Sequence, residues 1–205
     1  LLLNVALYDT YVTDYQALTL DESPTFMPNP RLSNLLNVGR VRLSGVDVDM
    51  QLALPQSFDV RAGIAYNRAI TEDFKNAPDE DSQQNTRDLS GEPLANAPRW
   101  SGNVGVQKRW ALEGGYTAYS IFDYHYRSTF NATLERSRNS VVEGYGVAGA
   151  RLGLASQSGW DASFFVRNLF NQDYVDAILT IYGVGSYGAY AGEPRIIGGT
   201  LRLTW

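Results

Sequence analysis

Apolar and polar residues alternate along this chain with a period of two. The pattern is clearest over residues 195–205, where every second residue back from the end is apolar or small: Trp205, Leu203, Leu201, Gly199 and Ile197. A period of two is typical of a β-strand whose faces meet different environments. A strand with one apolar face and a terminal aromatic residue fits the wall of a membrane β-barrel, whose aromatic residues lie at the lipid–water boundary.

Similar segments recur along the whole chain, separated by short breaks and by longer polar stretches. The short breaks are 55–57, 111–114 and 156–159, and the long stretches are 20–37, 74–98, 129–141 and 172–193. Between them we predict strands at 1–19, 38–54, 58–73, 99–110, 115–128, 142–155, 160–171 and 194–205. Short turns alternating with long loops are typical of bacterial outer-membrane barrels. The sequence therefore predicts an all-β fold, an antiparallel transmembrane barrel wall of about eight strands.

One face of the predicted strands is apolar. The candidates for this outward face are Val46, Val48, Met50, Leu52, Leu54, Phe58, Val60, Ala62, Ile64, Tyr66, Trp100, Val104, Val106, Trp110, Ala148, Ala150, Leu152, Leu154, Trp160, Ala162, Phe164 and Val166. Alternation alone also fits a soluble sandwich that buries this face. The large aromatic residues beside the short turns and the chain end favour the membrane: we predict that Phe58, Trp110, Trp160 and Trp205 form a girdle at one membrane boundary.

The opposite face carries charges of both signs. We predict that its polar residues face the lumen: Asp47, Asp49, Arg61, Asp123, His125, Arg127 and Arg167. An Asp–His pair such as Asp123 and His125 is able to serve as a general base, but the sequence places no nucleophile beside it. Asp47 and Asp49 carry oxygen ligands of the kind that Ca²⁺ takes, although pairing with lumen arginines is the simpler interpretation. We therefore predict no enzyme, no metal site and no cofactor.

The amino-acid composition excludes several classes of protein. The chain has 205 residues, no cysteine and a net charge of −5. The acidic balance argues against a nucleic-acid partner, and the lack of cysteine excludes a disulfide framework. No apolar run is long enough for a helical membrane span. No signal peptide is recognisable, so we expect a mature form or an internal portion of an exported protein.

Four stretches form motifs in a fixed order: Asn37–Asp47, Gly91–Arg99, Arg167–Tyr174 and Gly192–Arg195. The first looks like an "N-x-G-x-x-x-x-x-G-x-E" strand with Asp47 in place of Glu, and the second like a "G-x-x-L-x-x-x-P" stretch. The third resembles an Asn-Leu-Phe-Asp-x-x-Tyr motif and the fourth a Gly-Glu-Pro-Arg entry to the last strand. Together they resemble the TonB-dependent outer-membrane receptors over most of residues 37–205.

The resemblance implies a fold in which a plug sits inside a barrel of about 22 strands. Residues 1–205 would form the C-terminal portion of that barrel, with the plug domain absent from this chain. The implied location is the outer membrane of a Gram-negative bacterium. The implied partners are outer-membrane lipid, a small-molecule ligand, and the plug domain and TonB complex through a missing N-terminal region. The implied function is TonB-dependent uptake of a scarce ligand: siderophore-iron, cobalamin, haem or a sugar.

Two other classes of protein are also compatible with the sequence. The first is a stand-alone eight-stranded porin-like or adhesive barrel, but such a barrel is filled by side chains. The predicted lumen face instead carries small residues, which favours a wall that faces a plug: Gly63, Ala65, Gly105, Gly149 and Gly153. The second is a soluble ligand-binding barrel or sandwich, against which the outward Trp and Phe residues weigh.

Ligand contacts are predicted in the last long loop. Tyr182, Tyr187 and Tyr190 lie there among Gly and Ala residues. Tyrosine offers a rigid amphipathic contact surface, and glycine lets the backbone adapt around a ligand. The alternative is that these tyrosines cap an outer girdle or pack against neighbouring loops.

Overall fold

The computed structural model describes residues 1–20, 33–75, 77–78, 86–134, 136–181 and 186–204. In this part of the chain the regular structure is almost entirely β-strand. The strands are β1 (Leu2–Leu20), β2 (Ser33–Leu54), β3 (Phe58–Thr71), β4 (Ala77–Pro78), β5 (Thr86–Arg87), β6 (Trp100–Leu112), β7 (Tyr116–Arg127), β8 (Phe130–Asn131), β9 (Val141–Val142), β10 (Tyr145–Ser156), β11 (Trp160–Arg167), β12 (Val175–Ile181), β13 (Ser186–Ala191) and β14 (Ile196–Leu203). Among the described residues, no helix has the length and apolar character needed to cross a membrane.

Eight long strands form one antiparallel sheet in the order β1-β2-β3-β6-β7-β10-β11-β14. The breaks at Pro55–Ser57, Glu113–Gly115 and 157–159 join β2 to β3, β6 to β7 and β10 to β11. These turns therefore share one end of the sheet, and the long connections share the other. The predicted antiparallel wall and its asymmetry of turns and loops are confirmed. The two outermost strands do not pair with each other, so the sheet is open.

Some predicted loops contain regular structure. The stretch 172–193 holds the hairpin of β12 and β13, whose register is irregular between Val175 and Ala177. This irregularity interrupts the period of two at the start of β12. The stretch 129–141 likewise holds β8 and a 3-10 turn, Arg138–Ser140. β2 also begins earlier than predicted, at Ser33.

Strand register places the predicted outward residues on one face. Directly paired residues of an antiparallel sheet point to the same side. Val48 pairs with Ile64, Val104 with both Ala62 and Tyr124, and Phe164 with Leu152. A row of paired residues across five strands lies on the other side of the sheet: Asp49, Gly63, Asn103, His125 and Val147. We call these the apolar face and the polar face.

No core of described residues covers the apolar face. Leu152, Phe164 and Leu201 are 63%, 54% and 67% exposed, although soluble domains bury such residues. Most of the buried hydrophobic residues instead belong to two small clusters at the long-loop end. The first contains Ala17, Phe74, Ala77 and Leu89, and the second, called here the loop cluster, contains Phe130, Ala132, Val142 and Ile178.

Several glycines of the polar face lie beneath side chains from neighbouring strands. A Cβ atom on Gly153 would meet the Tyr119 ring at 2.1 Å, and the Tyr119 hydroxyl donates to Asp161 Oδ1 at 2.8 Å. A Cβ on Gly149 would likewise meet Asp123 Oδ2 at 2.7 Å. Their small size thus admits cross-strand side chains rather than leaving empty space, so glycine here does not by itself indicate a wall facing a plug.

Candidate functional site

Aromatic residues cluster on the apolar face at the short-turn end. The Tyr116 and Trp160 rings lie 5.9 Å apart. Lys108 places its Nζ 4.0 Å from the Phe58 ring centroid and 5.4 Å from that of Trp110. An apolar stem with a charged tip suits a boundary between hydrocarbon and water. Three predicted girdle residues therefore share one level and one face, and the fourth, Trp205, lies outside the described residues.

A second aromatic group lies at the long-loop end of the same face. The Tyr66 and Trp100 rings are 4.9 Å apart, and Tyr126 is exposed beside them in the register. Tyr66 and Trp100 are among the residues predicted on the outward face, but a second aromatic level was not predicted. The signal was present in the sequence, because these residues have the same strand parity as the first group.

The spacing of the two aromatic groups matches the thickness of a membrane. Trp100 and Trp110 lie on the same strand and the same face, ten residues apart. At about 3.3 Å per residue they are separated by about 33 Å along the strand. A strand tilt of roughly 40° reduces this to about 25 Å, the height of the apolar band of outer-membrane barrels.

The predicted lumen residues all lie on the polar face, but they do not form one catalytic or metal site. His125 Nε2 lies 3.8 Å from Asp123 Oδ2, with both side chains well exposed. Asp123, His125 and Arg167 line one depression, together with Tyr174 and Glu193. Asp47 and Asp49 line a different one with His125 and Arg127. Among the described residues, no group of three or more His, Asp or Glu side chains is arranged to hold a metal ion.

Arg127 joins the end of β7 to the β12–β13 hairpin. Its Nη2 donates to the Asp176 carbonyl oxygen at 2.7 Å and lies 3.3 Å from Asp176 Oδ1. The guanidinium also lies 4.8 Å from the Phe130 ring centroid and 4.6 Å from that of Tyr145. Tyr145 donates to the same carboxylate at 3.2 Å. Arg127 thus holds a loop in place, a role that the sequence did not indicate.

Asn168 connects the third and fourth sequence motifs. Its buried Nδ2 donates to the carbonyl oxygens of Gln172 and Glu193, each at 2.9 Å, and its Oδ1 accepts from the Gln172 amide at 2.8 Å. The backbone at Asn168 has a φ of 49°, which asparagine tolerates better than most residues. Arg167 adds an ion pair to Glu193 at 3.2 Å. We call Asn168, Gln172 and Glu193 the hairpin anchor.

The loop between β7 and β10 is built around buried polar contacts. Ser140 Oγ donates to Asn131 Oδ1 at 2.8 Å, and Thr133 Oγ1 donates to Ser140 Oγ at 2.7 Å. Asn96 from the neighbouring loop donates through Nδ2 to the Ala132 carbonyl oxygen at 2.9 Å. Satisfied buried polar groups fix a single loop conformation. The described residues of this loop are therefore packed together and against the neighbouring loop at Asn96.

The predicted ligand tyrosines separate into different environments. Tyr187 packs against the loop cluster, which fits the alternative interpretation that it supports neighbouring loops. Tyr190 is 60% exposed and pairs with Ala177, so it lies on the same side of the hairpin as the exposed Leu179. Tyr182 lies outside the described residues. Only Tyr190 is therefore placed as an exposed aromatic contact among the described residues of this hairpin.

Comparison with known proteins gives a consistent result. The family model described as "TonB dependent receptor-like, beta-barrel" matches residues 1–169. The ferric yersiniabactin uptake receptor FyuA from Yersinia pestis is similar in structure, with a TM-score of 0.74, 17% identity, and coverage of 98% of this chain and 27% of FyuA. No curated protein sequence matches this chain significantly.

Two further solved structures share the fold. The ferric-catecholate import receptor Fiu from K12 E. coli has a TM-score of 0.63 and 20% identity, with 98% of this chain and 25% of Fiu covered. The copper transporter OprC has a TM-score of 0.63 and 16% identity, with 99% of this chain and 29% of OprC covered. The chain thus spans between a quarter and a third of the length of these structures.

Proposed function

The chain belongs to the TonB-dependent receptor β-barrel family, and on that premise we propose that it forms part of an outer-membrane receptor for TonB-dependent ligand uptake. In this proposal residues 1–205 are the C-terminal portion of the barrel, and the plug and TonB-contacting segment belong to the rest of the receptor. The long loops face outward and the short turns face the periplasm. The chain binds and admits a ligand and catalyses no reaction.

The observation that carries the proposal is the exposed apolar face with aromatic groups at both ends. An eight-stranded sheet whose described residues leave this face uncovered fits hydrocarbon as its neighbour. The opposite face is polar, as expected of a wall that surrounds water and protein rather than lipid. Lys108 at the short-turn end and the aromatic residues at both levels fit two lipid–water boundaries, one at each end of the apolar face.

The open sheet favours a larger barrel over a stand-alone eight-stranded one. Within the part of the chain that the structure describes, each outermost strand has one edge without a pairing partner, and β1 alone is 19 residues long. Within a bilayer every backbone polar group needs a partner, so a spanning sheet has to close. In this proposal further strands pair with β1 and β14, as expected for a wall that surrounds a plug.

The ligand is proposed only by class. The similar structures named above are an uptake receptor for ferric yersiniabactin, an import receptor for a ferric catecholate and a transporter of copper. They support a scarce metal or metal complex as cargo. Cobalamin, haem and sugars stay within the proposal, because the loops that select among ligands differ at this level of identity.

The proposal predicts energy-dependent uptake by the full-length receptor. We expect Gram-negative cells that express it as their only such receptor to accumulate a labelled ferric siderophore, cobalamin or haem when TonB is present. Without TonB, surface binding should persist and accumulation should fall to the level of cells without the receptor. Uptake and surface binding of each labelled compound are measured in both backgrounds.

The same uptake measurement distinguishes a TonB-dependent receptor from a porin-like barrel. A porin-like barrel would admit small solutes passively, with a size limit and no dependence on TonB. Equal accumulation with and without TonB would therefore contradict the proposed function and support a passive barrel. Absence of uptake for every class of ligand, despite confirmed surface expression, would also count against it.

Tyr190 is expected to contact the ligand. Replacing Tyr190 with Ala in the intact receptor should weaken ligand binding by about tenfold, or about 1.4 kcal/mol, because an exposed ring loses its contact surface. Equilibrium binding to whole cells is compared at equal surface expression. Ligand contact is also predicted for Tyr182, whereas Tyr187 is expected to support the hairpin by packing against the loop cluster.

The matched control for this prediction is Phe170→Ala. Phe170 is an aromatic residue that is 70% exposed and lies in the turn that follows β11. We expect its removal to leave binding within twofold of the unchanged receptor. If Tyr190→Ala also has no effect, the hairpin is a structural cap and the ligand site lies on the plug or other loops.

A further inference from the structure

Four long connections lie side by side at the long-loop end of the sheet. They are the end of the β1–β2 pair, the β3–β6 loop (72–99), the β7–β10 loop (128–144) and the β12–β13 hairpin, which lies between β11 and β14 in the chain. In the sheet order the β7–β10 loop lies between the β3–β6 loop and the hairpin. Contacts between neighbouring connections would therefore reach from one edge of the sheet to the other.

Polar contacts join the β3–β6 loop to the β7–β10 loop. Arg136 donates to the Pro93 carbonyl oxygen at 2.7 Å and forms an ion pair with Glu92 at 3.4 Å. The Asn96 backbone amide donates to the Asn131 carbonyl oxygen at 2.8 Å, in addition to the side-chain contact described above. The Arg136 side chain is only 22% exposed, so its contacts are partly shielded from water.

Apolar contacts continue this series in both directions. On one side, Ile178 of the hairpin is buried in the loop cluster, whose other members all belong to the β7–β10 loop. On the other side, Ala17 of β1 packs with three residues of the β3–β6 loop: Phe74, Ala77 and Leu89. Leu134 of the β7–β10 loop packs against the same residues. The described parts of the four connections are therefore linked from β1 to the hairpin.

The strand pairs within these connections are small. Those described outside the main sheet have two strands each: β4 with β5, β8 with β9 and β12 with β13. A two-stranded hairpin is at best marginally stable in water by itself. The β12–β13 hairpin supplies one residue to the loop cluster and the β7–β10 loop supplies three. Each connection therefore depends on its neighbour for a hydrophobic partner, and mutually dependent elements of this kind order together.

We propose that these connections gain and lose order as one cooperative unit. Ile178 joins the hairpin to the β7–β10 loop, and Arg136 joins that loop to the β3–β6 loop. Loss of packing at Ile178 then loosens the β3–β6 loop as well as the hairpin. Conversely, a molecule bound to one connection restricts the others. This last consequence rests on the proposed function, whereas the unit itself does not, because its test needs no ligand.

The test is hydrogen exchange of the purified full-length receptor in non-ionic detergent, followed by mass spectrometry. In Ile178→Ala we expect exchange to be at least fivefold faster over 175–181, 128–134 and 86–96. The last segment contains the hydrogen-bonded amides of Leu89 and Asn96, which report on the β3–β6 loop. Arg136→Gln should accelerate the same three segments, because coupling between two elements is reciprocal.

Leu179→Ala is the matched control. Leu179 adjoins Ile178 but lies on the opposite side of the hairpin and is 51% exposed. We expect it to change exchange by less than twofold in all three segments. If faster exchange in Ile178→Ala is confined to the hairpin and the β7–β10 loop, the β3–β6 loop orders independently and the proposal is overturned.

Arg136→Gln tests the same unit from the other direction, and does so even if Ile178→Ala does not assemble. Faster exchange over 86–96 and 128–134 with unchanged exchange over 175–181 would overturn the proposal. Equal acceleration throughout β2 and β3 would show a general loss of stability and would overturn it too. A receptor that takes up its ligand with TonB, but whose three segments respond independently, contradicts the cooperative unit alone and leaves the proposed function standing.

Discussion

Arginine in place of Val104 is expected to lower the free energy of unfolding by about 2–4 kcal/mol. Val104 lies on the apolar face between Trp100 and Trp110 and pairs with Ala62 and Tyr124. In the proposed topology this position is close to the middle of the hydrocarbon layer, where a guanidinium loses its hydration. The effect is measured by denaturant unfolding of the receptor in lipid vesicles. Val48, Ile64 and Phe164 are expected to respond in the same way.

The adjacent residue provides the control. Asn103 lies on the polar face, and its amide lies beside Gly63 together with Asp49 Oδ1. Arginine at Asn103 remains near water and a carboxylate, so we expect a change below about 0.5 kcal/mol, as for ordinary exposed positions. Gln107 and Ser163 are expected to be similarly tolerant. Comparable losses at Val104 and Asn103 would contradict the assignment of the two faces.

Loss of the Asn168 side chain is expected to release the β12–β13 hairpin from the sheet. Asn168→Ala removes the three hydrogen bonds that this buried residue makes through its side chain, to Gln172 O, Gln172 N and Glu193 O. At about 1 kcal/mol each, the expected loss is about 3 kcal/mol. Hydrogen exchange over residues 172–195 should accelerate accordingly, while exchange in β7 and β10 should remain unchanged.

Asn171→Ala is the matched control for the hairpin anchor. Asn171 has a φ of 52°, close to that of Asn168, so alanine meets the same backbone strain at both positions. It is exposed, and among the described residues its side chain accepts a single long hydrogen bond, from the Arg195 amide at 3.3 Å. We therefore expect a much smaller change in exchange. If both variants accelerate exchange equally, backbone conformation and not the buried side chain holds the hairpin.

The loop-end contacts show why several predicted site residues acquired different roles. Arg127 and Arg167 were assigned to the lumen from strand parity alone, and both lie on that face. Their partners, Asp176 and Glu193, lie 49 and 26 residues further along the sequence, respectively. Strand parity reports which side of a sheet a residue occupies, but it does not report which loop folds over that side.

The sequence by itself determined the eight long strands, their two faces and the alternation of short turns and long connections. Each of these depends on local chemistry, because a period of two puts alternate residues on opposite sides wherever a strand forms. The apolar set from Val46 to Val166 therefore lies on one face in the register. The motif around Asn168 was recognisable as well, although its physical role was not.

Only the tertiary structure decided how the long-loop end is built. The β12–β13 hairpin and the loop cluster against which Tyr187 packs both depend on contacts between residues far apart in the sequence. Such contacts form when packing brings distant loops together, and no periodicity encodes them. For this reason Tyr187 and Tyr190, three residues apart, were indistinguishable in the sequence, whereas in the hairpin Tyr187 is partly buried against the loop cluster and Tyr190 is exposed.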